Sequence, residues 1–309
     1  MATGAGCGRA AATGRGAFLL SLVGVLAAAI FLTAAPRAEA TFAKCADVMF
    51  VGARGSGELE QAKTDGMGVP VDHMGKRLEK FVLREGETFA FRQVPYSADS
   101  VLELVPSKVE VAAIKAIGAA GLGNPAAGTA GLTGAVAVYY ARHARPYLKS
   151  IAEGVANTIS RVKQLHANCP ESELILAGYS QGAMAIHQAE LQLERDGDEE
   201  DLDTIGGTLL LGDGDRVPNT RAKLIGGAPR GGEGVQVYLH GFKPRDVAEP
   251  ETTVEICVPG DIVCDFRFYA DKAQYVEGSF AHSGYKDLPQ RKYLDDAVDW
   301  LARELGLTP

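Results

Sequence analysis

Ser180 lies between two glycines in Gly178-Tyr179-Ser180-Gln181-Gly182, and the residues around it differ sharply in character. Before it, Glu173-Leu174-Ile175-Leu176-Ala177 is a short apolar run that opens just after Pro170. This predicts a buried strand of a parallel sheet. After it, Ala183 to Arg195 is rich in helix formers and stops at Gly197. Glycines on both sides of a serine permit the sharp strand-to-helix turn that lifts a hydroxyl above the end of a sheet, where it can act as a nucleophile. A chain with 37 glycines also makes such pentapeptides as ordinary turns, so the rest of the chain must supply the partners.

A serine nucleophile needs a base to take its proton and an acid to orient that base, and after such a turn they follow in the order Ser, Asp or Glu, His. Of the histidines that follow Ser180, His187 falls on the very next helix, His240 comes later, and only His282 lies beyond Cys264. A histidine on a loop is by itself more often a plain surface residue than a base. Asp261, inside the stretch from Cys257 to Cys264, is one candidate for the acid. Asp213 and Asp215, at the end of the strand after the nucleophile, are the other, and the residues alone leave both open.

The elements that must hold these groups alternate. An apolar run at 48–53 reads as a strand and breaks at Arg54-Gly55-Ser56-Gly57-Glu58, a functional-looking loop. Residues 69–84 have a helical pattern and 89–96 alternate as a strand. From Pro146, Ile151, Val155, Ile159 and Val162 give one apolar helix face that ends near Asn168. Strands are expected at 205–212, 235–239 and 254–257, with the acidic run Asp198-Glu199-Glu200-Asp201 on a loop between elements. Leu294, Ala297, Val298, Leu301 and Leu305 mark a last helix, with Gly306 where a C-terminal cap belongs. This rhythm predicts an α/β fold with a central, mainly parallel sheet flanked by helices. The stretch 107–145 interrupts it with dense Ala and Gly, either as a mobile flap over the site or as a plain surface insertion.

Composition narrows the setting. With 46% hydrophobic and 23% charged residues, a sizeable core is within reach of this 309-residue chain. Arg9 and Arg15, an apolar stretch at 17–35 and Ala38-Glu39-Ala40 read as a secretory signal over 1–40, the alternative being an uncleaved membrane anchor. Without Arg9, Arg15, Arg37 and Glu39 the formal charge moves from −8 to −10, and no basic stripe is present, so nucleic acid is not an expected partner. Four cysteines remain, Cys45, Cys169, Cys257 and Cys264, an even number that suits disulfides in an oxidising compartment. Cys257 and Cys264 lie close enough to staple one tight loop, although four cysteines allow three pairings. Their spacing is a poor zinc pattern, the acidic run lacks the regular oxygen ligands of a calcium loop, and neither metal nor cofactor is expected.

These residues resemble the cutinases and cutinase-like serine esterases, particularly their secreted bacterial members. The likeness rests on the G-Y-S-Q-G turn, the Ala53-Arg54-Gly55-Ser56-Gly57-Glu58 strand end, the Cys-x-x-x-Asp-x-x-Cys loop at 257–264, Ala281-His282 followed by Tyr285, and a cysteine just before each of the first and nucleophile strands. It implies a three-layer α/β-hydrolase over 41–309, with Ser180 as nucleophile, His282 as general base and acid, and Asp261 as the orienting carboxylate. It also implies an oxyanion hole from Ser56 and the amide of Gln181, and the pairings Cys45 with Cys169 and Cys257 with Cys264. The expected protein is secreted or attached to the cell envelope and cleaves a carboxylic ester, free or on a lipid or polymer surface, with no obligate protein partner. The alternatives are a thioesterase or polysaccharide deacetylase with the same three groups, or a non-catalytic envelope-binding protein on this fold. The stretches at 107–145 and after the nucleophile helix look longer than in compact cutinases, which puts substrate preference in doubt.

Overall fold

The computed structural model describes residues 45–100, 125–236, 244–267, 272–287 and 289–308, with the backbone alone at 125–143 and at 272. The expected signal, the first part of the Ala/Gly-rich stretch, and most of the strand expected at 235–239 lie outside the described residues.

Along the chain come β1 (Val48–Ala53), α1 (Val69–Arg84), β2 (Phe89–Gln93), α2 (Pro125–Asn168), β3 (Glu173–Tyr179), α3 (Gln181–Asp196) and α4 (Glu199–Leu202). Then follow β4 (Ile205–Leu211), β5 (Lys223–Ile225), β6 (Thr253–Ile256), α5 (Lys272–Ser283) and α6 (Arg291–Glu304). The six strands form one sheet in the order β2-β1-β3-β4-β6-β5, and every neighbouring pair is parallel. The expected α/β architecture is present.

Apolar strands with no polar alternation need cover on both faces, and the side chains divide accordingly. Val48, Phe50, Ile175, Leu209 and Leu211 point to one face, where they pack with Val71, Met74 and Leu78 of α1 and Leu294, Val298 and Leu301 of α6. Met49, Val51, Leu174, Leu176 and Leu210 point to the other, where Val162 of α2 and Ile186 and Leu193 of α3 cover them. Leu294, Ala297, Val298 and Leu301 of the expected stripe are buried, Leu305 is half-buried just past the end of α6, and Gly306 with φ 75° turns the chain so that the amides of Gly306 and Leu307 reach the carbonyls of Arg303 and Ala302.

Three expectations are corrected. The helix placed from Pro146 starts at Pro125 and carries Pro146 in its interior, because the alanines before it propagate a helix through a residue better suited to a first turn. Residues of the acidic run form the one-turn α4 instead of a loop, with Asp198 bonded to Lys163 at 2.6 Å and Asp201 to His166 at 2.8 Å. The segment between β4 and the region at 235 contains β5, a strand too short to register as a pattern.

In a parallel sheet all strand ends of one kind share an edge. Ala53 of β1 is level with Gly178 of β3, Tyr179 with Leu211 of β4, and Leu211 with Ile256 of β6. The loops that leave those four strands therefore meet at one place. Cys45 and Cys169 are bonded with Cα atoms 5.5 Å apart, and Cys257 and Cys264 with Cα atoms 6.0 Å apart. Among the described residues no helix is long and apolar enough to cross a membrane.

Candidate active site

Ser180 caps α3 with φ 54° and ψ −115°, a conformation that a residue with a side chain adopts only under constraint. Its amide donates to the Leu211 carbonyl at 2.8 Å, and its carbonyl accepts from Met184 N at 3.1 Å. The flanking glycines are required by close approach. A Cβ at Gly178 would lie 2.5 Å from the backbone of Gly182, and one at Gly182 would lie 2.3 Å from the Ala53 carbonyl oxygen. The hydroxyl is held at the strand edge with only 5% of the residue exposed. Gln181 starts the helix, so its amide is among the N–H groups that have no partner within α3. Its side chain is fixed by contacts to the Tyr147 carbonyl at 3.3 Å and the Ser150 hydroxyl at 3.4 Å.

His282 lies in the last turn of α5, not on a loop. Its Nε2 is 2.9 Å from Ser180 Oγ, and its Nδ1 is 3.0 Å from both carboxylate oxygens of Asp261. A ring protonated on Nδ1 donates to Asp261 and accepts from the serine hydroxyl. Asp261 is fully buried in the Cys257–Cys264 loop and accepts from Val263 N at 2.7 Å and from the Tyr285 hydroxyl at 2.7 Å. Burial would raise its carboxyl, but the imidazole of His282 and the hydrogen bonds from His282, Tyr285 and Val263 outweigh it and hold the group below its ordinary value of 3.8.

The loop after β1 reaches the same edge. The buried Arg54 donates through Nε to the Glu58 carbonyl at 3.0 Å, through Nη2 to the Tyr96 and Ser97 carbonyls, and lies over the Tyr96 ring. Glu58 accepts from Gly55 N at 2.7 Å, and burial raises its carboxyl above the ordinary value despite that bond. Within this frame the Ser56 hydroxyl donates to the Asp99 carbonyl at 2.8 Å.

Asp213 and Asp215 do not face His282. Asp213 Oδ2 is 2.7 Å from His187 Nδ1, and both residues are buried. His187 Nε2 in turn is 3.1 Å from the Arg245 carbonyl, which keeps this histidine away from Ser180.

The sequence model described as Cutinase matches residues 123–305, more than half of the chain. The chain belongs to the cutinase family. The matched span contains Ser180, Asp261 and His282 and leaves out Ser56. A cutinase of Hypocrea jecorina (strain QM6a) is 30% identical over 80 residues, which is 26% of this chain and 31% of that protein. The "Probable carboxylesterase Culp5" of Mycobacterium tuberculosis (strain ATCC 25618 / H37Rv) is 28% identical over 148 residues, or 43% of this chain and 68% of that one. The fungal alignment thus spans under a third of that relative's length. Among solved structures, a cutinase-like protein from Cryptococcus sp. superposes with a TM-score of 0.54 at 19% identity, covering 86% of this chain and 98% of that chain.

Three residues that shape the site in this cutinase-family chain, Tyr179, Tyr285 and Arg54, make contacts that the sequence does not reveal. The Tyr179 ring stacks on His282 with centroids 5.2 Å apart, and its hydroxyl donates to the His282 carbonyl at 2.8 Å. Tyr285 holds Asp261 from behind. Arg54 organises the first loop. Only position carried a signal for them: Tyr179 sits inside the serine motif, Tyr285 closely follows His282, and Arg54 ends an apolar strand where a charge is out of place.

Proposed function

We propose that this chain hydrolyses carboxylic esters through an acyl-serine intermediate, with Ser180 as nucleophile, His282 as base and then acid, and Asp261 as the carboxylate that orients it. The observation that carries this reading is the continuous set of contacts from Ser180 Oγ through His282 to a buried, ionised Asp261 at 2.9 and 3.0 Å. In the first half-reaction, Ser180 Oγ attacks the carbonyl carbon while Nε2 takes its proton, and the resulting imidazolium faces the Asp261 carboxylate. Collapse of the tetrahedral intermediate breaks the ester bond, and the alcohol leaves with the proton from Nε2. Water then gives a proton to Nε2 as it attacks the acyl carbon, and collapse of the second tetrahedral intermediate breaks the bond to Ser180 Oγ, which takes the proton back from Nε2 as the carboxylic acid leaves.

For the oxyanion we propose the Gln181 amide, aimed outward by its place at the helix start, and Ser56, whose hydroxyl would turn from the Asp99 carbonyl. Leu59, Tyr275, Val276 and Phe280 are exposed large apolar side chains on the Ser56 loop and on α5 beside His282. They support an ester presented on a lipid or polymer surface. We further propose that residues 41–309 form the hydrolase domain and that the protein is secreted, in keeping with two disulfides, which persist in oxidising compartments.

The test is labelling of the purified protein with a fluorophosphonate beside Ser180→Ala and His282→Ala. Only the parent should label rapidly. Equal labelling of all three would overturn the assignment. A chain-length series of p-nitrophenyl esters, then triglyceride, phospholipid and acetylated xylan, would define the acyl and alcohol preference.

A further inference from the structure

Four successive carbonyls after β2, those of Tyr96, Ser97, Ala98 and Asp99, all accept hydrogen bonds from the loop that carries Ser56. Arg54 Nη2 donates to Tyr96 and, at 3.2 Å, to Ser97. Gly57 N donates to Ala98 at 2.8 Å, and the Ser56 hydroxyl donates to Asp99 at 2.8 Å. A regular extended strand directs its carbonyls alternately to opposite sides, so four in a row toward one loop require a break in the backbone. The break is at Ala98, whose φ of 51° lies in the left-handed region that alanine avoids. Strain of this kind persists only where the surroundings over-determine it.

The surroundings here are α2. Tyr147, Ser150 and Glu153 stand three residues apart on successive turns of that helix. Glu153 Oε2 accepts from Ser97 N at 3.2 Å, and Ser150 Oγ accepts from Asp99 N at 3.1 Å. The amides on either side of Ala98 are therefore both held by α2. The Ser97 hydroxyl adds a second donor to Ser150 Oγ at 2.9 Å.

Ser150 is only 1% exposed, and its own hydroxyl donates to Gln181 Oε1 at 3.4 Å. One buried hydroxyl thus touches both the segment that fixes the Ser56 loop and the side chain of the first residue of α3. Those two places are far apart in sequence and meet only at the sheet edge.

We propose that Ser150 is a positioning residue for the oxyanion hole, fixing Ser56 through the segment 97–99 and Gln181 through its side chain. This inference rests on the oxyanion roles proposed above for Ser56 and the Gln181 amide. Ser150 acts through these two residues and not on the ester. Donors that are already in place gain their advantage as charge develops on the substrate oxygen, so a loss of placement is felt in turnover more than in substrate binding.

The test is steady-state kinetics on p-nitrophenyl butyrate, with fluorophosphonate labelling rates, for the full chain carrying Ser150→Ala, Ser56→Ala, both together, or Glu153→Ala. Circular dichroism establishes which variants are folded. Ser150→Ala should lower kcat about tenfold with KM within about twofold, and slow labelling by a similar factor. The double variant should lose less than the product of the two single losses, because both act at one hole. Glu153 is exposed, and its replacement by alanine releases the Ser97 amide without disturbing the core. It should lower kcat about threefold, which keeps the test decisive if Ser150→Ala does not fold. A folded Ser150→Ala with the parent's kcat, or fully multiplicative losses in the double variant, overturns the proposal. So does a parent-like Glu153→Ala where Ser150→Ala fails to fold. If Ser56→Ala keeps the parent's kcat, the oxyanion reading falls and this inference with it, whereas a slow Ser56→Ala beside an unimpaired Ser150→Ala sinks this inference alone.

Discussion

The Tyr285 hydroxyl donates to Asp261 Oδ2 at 2.7 Å while its oxygen accepts from Val258 N at 3.1 Å. The carboxylate that faces His282 is thus clamped from behind by a wholly buried phenol, and that phenol is tied to the first residue of the Asp261 loop after Cys257. Burial, and then the neighbouring Asp261 carboxylate, raise the phenol well above its ordinary pKa, so it remains a donor.

Tyr285→Phe removes that donor and leaves the Val258 amide unpaired in the core. The unfolding free energy should fall by about 1 to 3 kcal/mol. The turnover number on a soluble ester should fall by about tenfold with little change in KM, because the phenol touches the carboxylate proposed to orient His282 and not the substrate. Steady-state kinetics and urea unfolding check both. Full activity in a folded variant would mean that Asp261 needs no support from Tyr285.

The two disulfides should separate stability from activity. Chain-entropy reasoning gives about 5 kcal/mol for Cys45–Cys169, which closes a separation of 124 residues, and about 2.5 kcal/mol for Cys257–Cys264, with a separation of 7. Replacing each pair by serine should therefore lower stability more in the first case. The second should cost far more activity in what remains folded, since its loop holds Asp261. Denaturant curves set beside kcat/KM decide this, and parallel losses in both pairs would refute it.

Gly182→Ala should prevent a stable, active fold, because its Cβ would press on the Ala53 carbonyl oxygen at 2.3 Å. Gly197→Ala makes a control. Gly197 has a positive φ, 77°, but a Cβ there would meet open space, so the cost should be only about 1 to 2 kcal/mol. Soluble yield and melting temperature distinguish the two outcomes.

Stability should decline toward alkaline pH. Burial of Glu190 outweighs its Thr208 bond and raises it from 4.5 to about 7. Burial would lower His187, but Asp213 outweighs it and carries the group from 6.5 to about 10. A raised folded-state value means stability that is complete below the unfolded value and is lost as pH passes the folded one, here through about 7 and then about 10. Asp261 has the opposite sign, and its contribution is lost only as pH falls below 3.8. Calorimetry should show the melting temperature falling from about pH 5 to about pH 10, with the first part of the decline weakened in Glu190→Gln. A melting temperature that rises over this range would contradict the buried network.

Legibility followed range along the chain. β1, β3, β4 and α6 were readable because uninterrupted apolar runs and a helical stripe of leucines are local consequences of burial. The start of α2 was not, because Pro146 is a strong local signal that the alanines before it override. Ser180 and His282 could be found from a motif and an order of residues, but the geometry between them is tertiary. The choice between Asp261 and Asp213 shows the limit most clearly. Both sit at strand ends on one edge, and what separates them is that His187 engages Asp213, a contact between residues 26 apart with no pattern of its own.

The glycines around Ser180 have a consequence beyond the turn itself. Gly178 is demanded by its own turn, since a side chain there would strike Gly182, but Gly182 is demanded by β1, whose last carbonyls leave no room. The second glycine of the pentapeptide is thus an imprint of the neighbouring strand. In a chain where no parallel strand passes at that distance, alanine would serve as well, so a five-residue signature conveys information about a part of the molecule more than a hundred residues away.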